Sequence, residues 1–318
     1  MSRFKIHHLT RYLYDEPVRD SANQIILYPL KDEYQEIITH TIHIPGNPQI
    51  AIHTDYYGNE VGTFTYAPPH TELIIESKLE IVTKERPTPD DTAPLAEQWN
   101  TLNRLKHQFN FIDFLRIEPF HFQAEMEEVI KKERCSECTP FQVAKDFNSY
   151  IYNNFKYQKG ITTVETTPDE IWKLRSGVCQ DFAHMLLLML RVVNIPARYV
   201  SGYICPNKNG MRGEGATHAW VEAYMPGFGW VGLDPTNNLV VSSAHVRLAV
   251  GKNFSDCSPV KGTYRGTSNH TLEVTVSVTY EDGKQAKNMN EVLEAQIEPV
   301  KSFSRNSFRR HQEMQMQQ

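Results

Sequence analysis

Between Cys179 and Val193 the chain reads CQDFAHMLLLMLRVV, a segment that is apolar on nearly every side when wound as a helix. Phe182, Leu186, Met189, Leu190 and Val193 form one stripe at helical spacing, and Ala183 and Leu187 widen it. Such a helix cannot rest on a surface. Other elements must cover it, so the chain has to build a layered core around this segment. Pro196 ends the helix, because proline biases Ile195 away from the helical region. The unbroken apolar run Met185–Leu190 falls far short of the roughly 20 residues that span a bilayer, so no membrane span is expected.

The segments after the helix, ARYVSGYI, HAWVEAYM and WVGLDPT, are short, rich in aromatic and β-branched residues, and separated by glycine-containing loops. A later one, TLEVTVSVTY, alternates cleanly. Upstream, LAEQWNTLNRLKHQF and TPFQVAKDFNSYIYNNF carry apolar residues at helical spacing, and Thr139 with Pro140 supplies a cap and first turn. From Phe4 to about Lys84 the pattern is alternating, as in EIITHTIHI and ELIIESKLEIV, with turns at PGNP and YYGNE. RPTPDDTAP, between Arg86 and Pro94, continues neither period and reads as a linker. The expectation is an α+β protein. A β-sandwich-like domain over 1–90 precedes a second domain over 91–300, in which the cysteine-bearing helix packs on an antiparallel sheet, and 301–318 form a flexible tail.

A length of 318 residues agrees with two domains, and 40% hydrophobic with 22% charged residues is ordinary globular usage. The net charge of -5 offers no excess of cations for a phosphate backbone or an anionic membrane, so neither nucleic acid nor membrane is expected as a partner. The N-terminal stretch is charged and aromatic and lacks the apolar region of a secretory signal. The five cysteines are an odd number with no framework spacing. A cytoplasmic location with free thiols is therefore expected.

Cys179 follows Ser176-Gly177-Val178, which places it in the first turn of the buried helix. Unpaired backbone N–H groups there favour a thiolate and can stabilise an oxyanion. Cysteine is also among the most commonly buried residues, so position alone leaves a structural role open. A base is needed. In THAWVEAYM, strand alternation puts His218, Trp220, Glu222 and Tyr224 on one face, and Asp234 ends the following strand before Pro235. Antiparallel partners share a constant sum of residue numbers, so His218 and Asp234 share a face only if that sum is even. A four-residue PGFG loop would pair Met225 with Trp230 and make it odd. A three- or five-residue loop, or a bulge, is therefore expected, with Gly227 and Gly229 supplying the freedom. Cys179 as nucleophile, His218 as proton carrier and Asp234 as orienting group then form the candidate site.

GVCQDFAHMLLLMLRVVNIPARYVSGY followed by THAWVEAYMPGFGWVGLDPT resembles the transglutaminase-like superfamily of papain-type cysteine enzymes, in a bacterial branch. A cysteine opening a helix, a histidine before Ala-Trp and an aspartate before Pro-Thr fall on Cys179, His218 and Asp234. The N-terminal stretch YDEPVRDSANQIILYPL is similar to the domain that precedes the core in such bacterial proteins. The resemblance implies a thioester acyl-enzyme formed from a peptide or protein amide, with water or an amine as acceptor, and no cofactor or metal. It also implies an oxyanion hole in which the cysteine N–H is joined by a side-chain donor. Tyr157 and Trp220 both qualify by chemistry.

Other signals are discounted. GFGWVG, Gly227–Gly232, satisfies G-x-G-x-x-G but joins two strands. CSEC, Cys135–Cys138, has no second pair at metal-site distance. His7, His8, His40, His43 and His53 are expected at the surface. The functional expectation is a cysteine peptidase or amidase. Amine-transferring cross-linking is the alternative, and a binding protein that keeps the fold without catalysis is a third.

Overall fold

The computed structural model describes residues 1–135, 137–205, 211–212 and 217–280. In chain order, five strands come first: β1 (Ser2–Ile25), β2 (Gln35–His43), β3 (Ala51–Thr54), β4 (Glu60–Tyr66) and β5 (His70–Thr83). Four helices follow, α1 (Leu95–Leu105), α2 (Phe109–Leu115), α3 (Gln123–Glu133) and α4 (Pro140–Asn154). Next are β6 (Lys156–Tyr157), α5 (Pro168–Leu174), β7 (Ser176–Gly177) and α6 (Cys179–Val192). The last stretch holds β8 (Ala197–Ile204), β9 (Thr217–Met225), β10 (Gly229–Asp234), β11 (Leu239–Val240), β12 (His245–Gly251), α7 (Phe254–Cys257), β13 (Val260–Arg265) and β14 (His270–Tyr280). This is the mixed, strand-rich architecture expected.

The chain forms two compact units. The first is an antiparallel sheet in the order β2-β5-β1-β4-β3, with β13 and β14 also on β1. Its centre is β1, whose first half pairs with β5 and β14 and whose second half pairs with β4 and β13. The register breaks between Leu13 and Val18, and Asp20 has a positive φ of 50°, so one strand bends to serve both halves of a curled sheet. Alternation fills the inside: Phe4, Ile6, Leu73, Ile75, Leu79, Ile81, Val276 and Val278 are buried. His8 belongs to the same buried face as Ile6 and bonds Thr10 Oγ1 at 3.2 Å, which corrects its expected surface placement. Burial, then the neighbouring His7, lowers its pKa to about 4, so it packs as a neutral ring.

The expected boundary at residue 300 is also corrected. Residues 258–280 belong to the first unit, because β13 and β14 pair with β1. The expected tail, 301–318, lies outside the described residues. A third correction concerns the thiols: Cys135 and Cys138 are joined as a disulfide in the turn between α3 and α4, where their Cα atoms stand 5.3 Å apart.

The second unit is built around α6. Phe182 to Leu190 are buried except His184, and α4, α5 and the face of β9 pack against the helix. Each fully buried Leu, Met or Phe contributes about 2 kcal/mol, and this burial holds the unit together. Both ends of α6 are fixed by polar groups. At its C-terminus the buried Arg191 donates to Ala197 O (2.9 Å), Lys252 O (2.6 Å) and Arg116 O (3.1 Å). At its N-terminus Asp181 Oδ2 accepts from Val178 N (2.7 Å) and Thr162 Oγ1 (2.7 Å). The caps of α4 are as expected, with Thr139 Oγ1 accepting from Gln142 N at 3.2 Å and Pro140 in the first turn. The five-stranded sheet runs β11-β10-β9-β8-β12.

Glu222 on β9 is buried between Arg198 (2.6 Å) and Arg247 (2.9 Å). Burial opposes its charge, but the two guanidinium groups outweigh this and lower its pKa to about 2. The stability this supplies is present above the unfolded value of about 4.3 and is lost as pH falls toward 2. Replacement Glu222→Gln removes the carboxylate that stands between two partly buried guanidinium groups. It is expected to cost about 3 kcal/mol in urea unfolding at pH 7, and to flatten the decline in stability below pH 4.5.

Candidate active site

Cys179 is the first residue of α6, and its N–H, in the first helical turn, has no intrahelical acceptor. Asp181, three residues after Val178, holds the Val178 N–H with its side chain. The reciprocal bond of a capping box is absent because valine has no hydroxyl. Gly177 makes this fit. A Cβ there would lie 2.3 Å from Asp181 Oδ2, so a side chain would push the carboxylate off the helix end. Cys179 is partly exposed, whereas Cys205 and Cys257 are buried.

The hairpin that carries the other two residues has the even register that the parity of 218 and 234 demands. Met225 pairs with Gly229, Tyr224 with Trp230 and Val221 with Leu233, so the loop is the three residues 226–228. Gly227 and Gly229 take φ of 76° and 108°, conformations that a side chain would oppose. His218 and Asp234 are thus diagonal neighbours on one face. His218 Nε2 lies 2.9 Å from Asp234 Oδ2, and both side chains are shut off from solvent. Opposite His218 on β8 stands Gly202. A Cβ on Gly202 would come within 2.0 Å of Val246 O and 2.6 Å of the Trp220 ring, so only glycine lets β12 and Trp220 close in here.

Asp234 is held from several sides. Its Oδ1 accepts from Thr236 N (2.9 Å) and Asn237 N (3.3 Å), and its Oδ2 accepts from Asn237 Nδ2 (2.8 Å). His245 Nε2 reaches the same Oδ2 at 3.3 Å. Burial would push this carboxyl up, but the charge and hydrogen bond of His218, with the bond from His245, hold it well below the usual range. For His218, burial disfavours the charged ring. The Asp234 carboxylate and the Cys179 sulfur outweigh it and raise the pKa well above the ordinary value. Nε2 is taken by Asp234 and Nδ1 is buried without a hydrogen-bond partner, so Nδ1 is the nitrogen left for Cys179.

Of the two candidate oxyanion donors, Tyr157 is aligned with Gly177 across the parallel pair of β6 and β7, two residues before Cys179. Burial, then the charges of Cys179 and Asp234, raise its phenol pKa, with Arg212 opposing. Trp220 is fully buried, its ring set edge-on against His245 at 5.3 Å, and its Nε1 has no acceptor. His218, Asp234 and His245 also place ligand-type atoms within 4.8 Å of one another. Both imidazole Nε2 atoms are directed at one carboxylate oxygen, an arrangement of hydrogen bonds rather than of three donors converging on an ion.

His245, Asp181 and Asn237 escape the sequence reading. His245 lies on β12, separated from β10 by two strands in the sheet, and no local pattern links it to Asp234. Asn237 follows Asp-Pro-Thr in the turn and is readable only as a loop residue. Asp181 had a usable signal, an acidic residue in the first turn of a helix.

Residues 129–235 match the transglutaminase-like superfamily core, and residues 4–82 match the bacterial transglutaminase-like N-terminal region. An uncharacterised protein of Mycobacterium tuberculosis is 30% identical over 299 residues, covering 88% of this chain and 94% of its own. The chain belongs to the transglutaminase-like superfamily. The crystal structure of a candidate cysteine protease from Cytophaga hutchinsonii has the same fold, with a TM-score of 0.69 at 22% identity over 90% of this chain and 92% of that one. A protein-glutamine gamma-glutamyltransferase of Pseudomonas aeruginosa is 36% identical over 80 residues, 24% of this chain and 12% of its own. No helix among the described residues of this transglutaminase-like protein is long and apolar enough to cross a membrane.

The electrostatics of the pair predict a clear titration. His218 keeps its proton through neutral pH in the native protein, because its pKa is raised by Asp234. In Asp234→Asn that source is gone and burial dominates, so His218 is expected to be neutral at pH 7. Imidazole nitrogen chemical shifts measured against pH separate the two states.

Proposed function

We propose that this protein is a cysteine-dependent amide hydrolase that cleaves peptide or other amide bonds through a thioester on Cys179. The observation that carries this reading is the His218 ring. Asp234 holds its Nε2, and Nδ1 is left free beside a partly exposed thiol. His218 holds on Nδ1 the proton that the Cys179 thiol gives up, and the sulfur attacks the carbonyl carbon. The resulting oxyanion is met by the Cys179 N–H and the Tyr157 hydroxyl, whose raised pKa keeps it a donor. Collapse breaks the C–N bond, and the proton on His218 passes to the departing nitrogen. Water then adds to the thioester with His218 as base. The C–S bond breaks, the carboxylic acid leaves and the thiol recovers its proton. Tyr157 is preferred to Trp220 because the Trp220 indole is enclosed against His245.

A second reading replaces water by an amine in the last step. It draws on the likeness of part of this chain to the Pseudomonas aeruginosa gamma-glutamyltransferase. A glutamine peptide incubated with a labelled amine distinguishes the two: hydrolysis releases ammonia without incorporating label, and transfer incorporates one label for each ammonia.

Cys179→Ala is expected to abolish turnover. Iodoacetamide should modify Cys179 faster than an ordinary thiol and leave Cys205 and Cys257 intact in the folded protein. Alkylation of Cys179 no faster than a free thiol, with unchanged turnover in Cys179→Ala, would refute the reading. Tyr157→Phe is expected to lower kcat on the order of a hundredfold with little change in KM, because the lost donor acts on charge that develops only in the transition state.

A further inference from the structure

Asp234 Oδ2 receives two imidazoles, and the reaction above uses only one of them. The second, His245, opens β12 and is fully buried. Its tautomer follows from its neighbours. Ser242 N donates to Nδ1 at 3.4 Å, so the ring proton sits on Nε2 and is donated to Asp234 Oδ2 at 3.3 Å.

The ring has little freedom to turn. His245 N bonds Ser242 O at 3.2 Å, and Ala244 N bonds Ser242 Oγ at 3.3 Å, which tightens the turn before β12. Glu85 clasps that turn from outside through Ser243, accepting from its hydroxyl and, at 3.4 Å, from its N–H. Trp220 closes one side edge-on. Burial, with the positive charges of His218 and Arg86, favours the neutral ring, against the pull of Asp234. A second imidazolium beside His218, in an enclosed site with one carboxylate, would have no anion of its own.

The remaining bonds to Asp234 come from its own turn, Thr236 and Asn237. Among the described residues, His245 and His218 reach the carboxylate from other elements, and His245 lands on the oxygen that faces His218. We propose that His245 is a positioning residue for the reaction: as a neutral N–H donor it fixes the Asp234 carboxylate, and through it keeps the His218 ring turned toward Cys179. The inference rests on the thiol–imidazole reading of the site, and its test does not depend on finding a substrate.

The test is the rate of iodoacetamide alkylation of Cys179 at pH 7, followed by peptide mass in the full-length protein, for a double-mutant cycle of His245→Leu and Asp234→Asn. His245→Leu is expected to slow alkylation on the order of tenfold in the wild-type background, an effect of misplaced geometry, and by less than about twofold in Asp234→Asn. His245→Gln, which restores an N–H donor, is expected to stay within about threefold of wild type. Once a substrate is in hand, His245→Leu should lower kcat with KM unchanged.

A full alkylation rate in His245→Leu overturns the proposal, as does an equal loss in both backgrounds. If His245→Leu does not fold, His245→Gln alone decides: a loss as large as that of Asp234→Asn overturns it. Slow alkylation in the wild type itself, together with turnover that survives Cys179→Ala, is the separate failure of the hydrolase reading.

Discussion

The second unit depends on one requirement, that a helix apolar on almost its whole circumference be covered on every side. α6 satisfies it by lying between β9 and the helices α4 and α5. The body of the helix is largely enclosed, and Cys179 in its first turn stays partly exposed. The same enclosure makes the polar anchors at its ends matter. Arg191 satisfies the carbonyl groups of Ala197 and Lys252, and Asp181 fixes the chain as it enters the helix. Core packing and the placement of the thiol are thus consequences of one constraint.

The polar centre obeys a related rule. A fully buried carboxylate stays ionised only if donors surround it, and Asp234 has backbone, amide and imidazole donors at both oxygens. This solvation by protein dipoles replaces water, and it sets the charge state of His218. Gly202, Gly229 and Gly177 each remove an obstacle to this arrangement. The first admits β12 and Trp220, the second gives the hairpin its odd-length turn, and the third lets Asp181 reach the helix end.

Much of this was legible in the amino-acid order because it is local. The apolar stripe gave α6, the alternation gave β8 to β10, and the parity of 218 and 234 fixed the hairpin loop at an odd length, which the pairing of Met225 with Gly229 bears out. The helix α5 was also within reach, since Thr167 and Glu170 form a complete capping box. What escaped is long-range. TLEVTVSVTY is plainly a strand, yet nothing in it names β1 as its partner. His8 reads as one more polar residue until β1, β5 and β14 are seen to enclose one face. His245 needs the whole sheet before it can approach Asp234, and the Cys135–Cys138 bond depends on a turn between two helices rather than on spacing to other cysteines.

The long strand β1 carries a kinetic consequence. One of its edges is covered by β5 and β4, which follow within the first stretch of chain, but the other is covered by β13 and β14, which come only after the entire second unit. A ribosome releasing this polypeptide therefore exposes an unpaired row of backbone groups while some two hundred intervening residues emerge and fold, a span far beyond that of an ordinary hairpin. The bend between Leu13 and Val18 and the polar residues Lys5, His7 and Arg11 keep that waiting edge neither flat nor greasy, which discourages its capture by a neighbouring nascent chain.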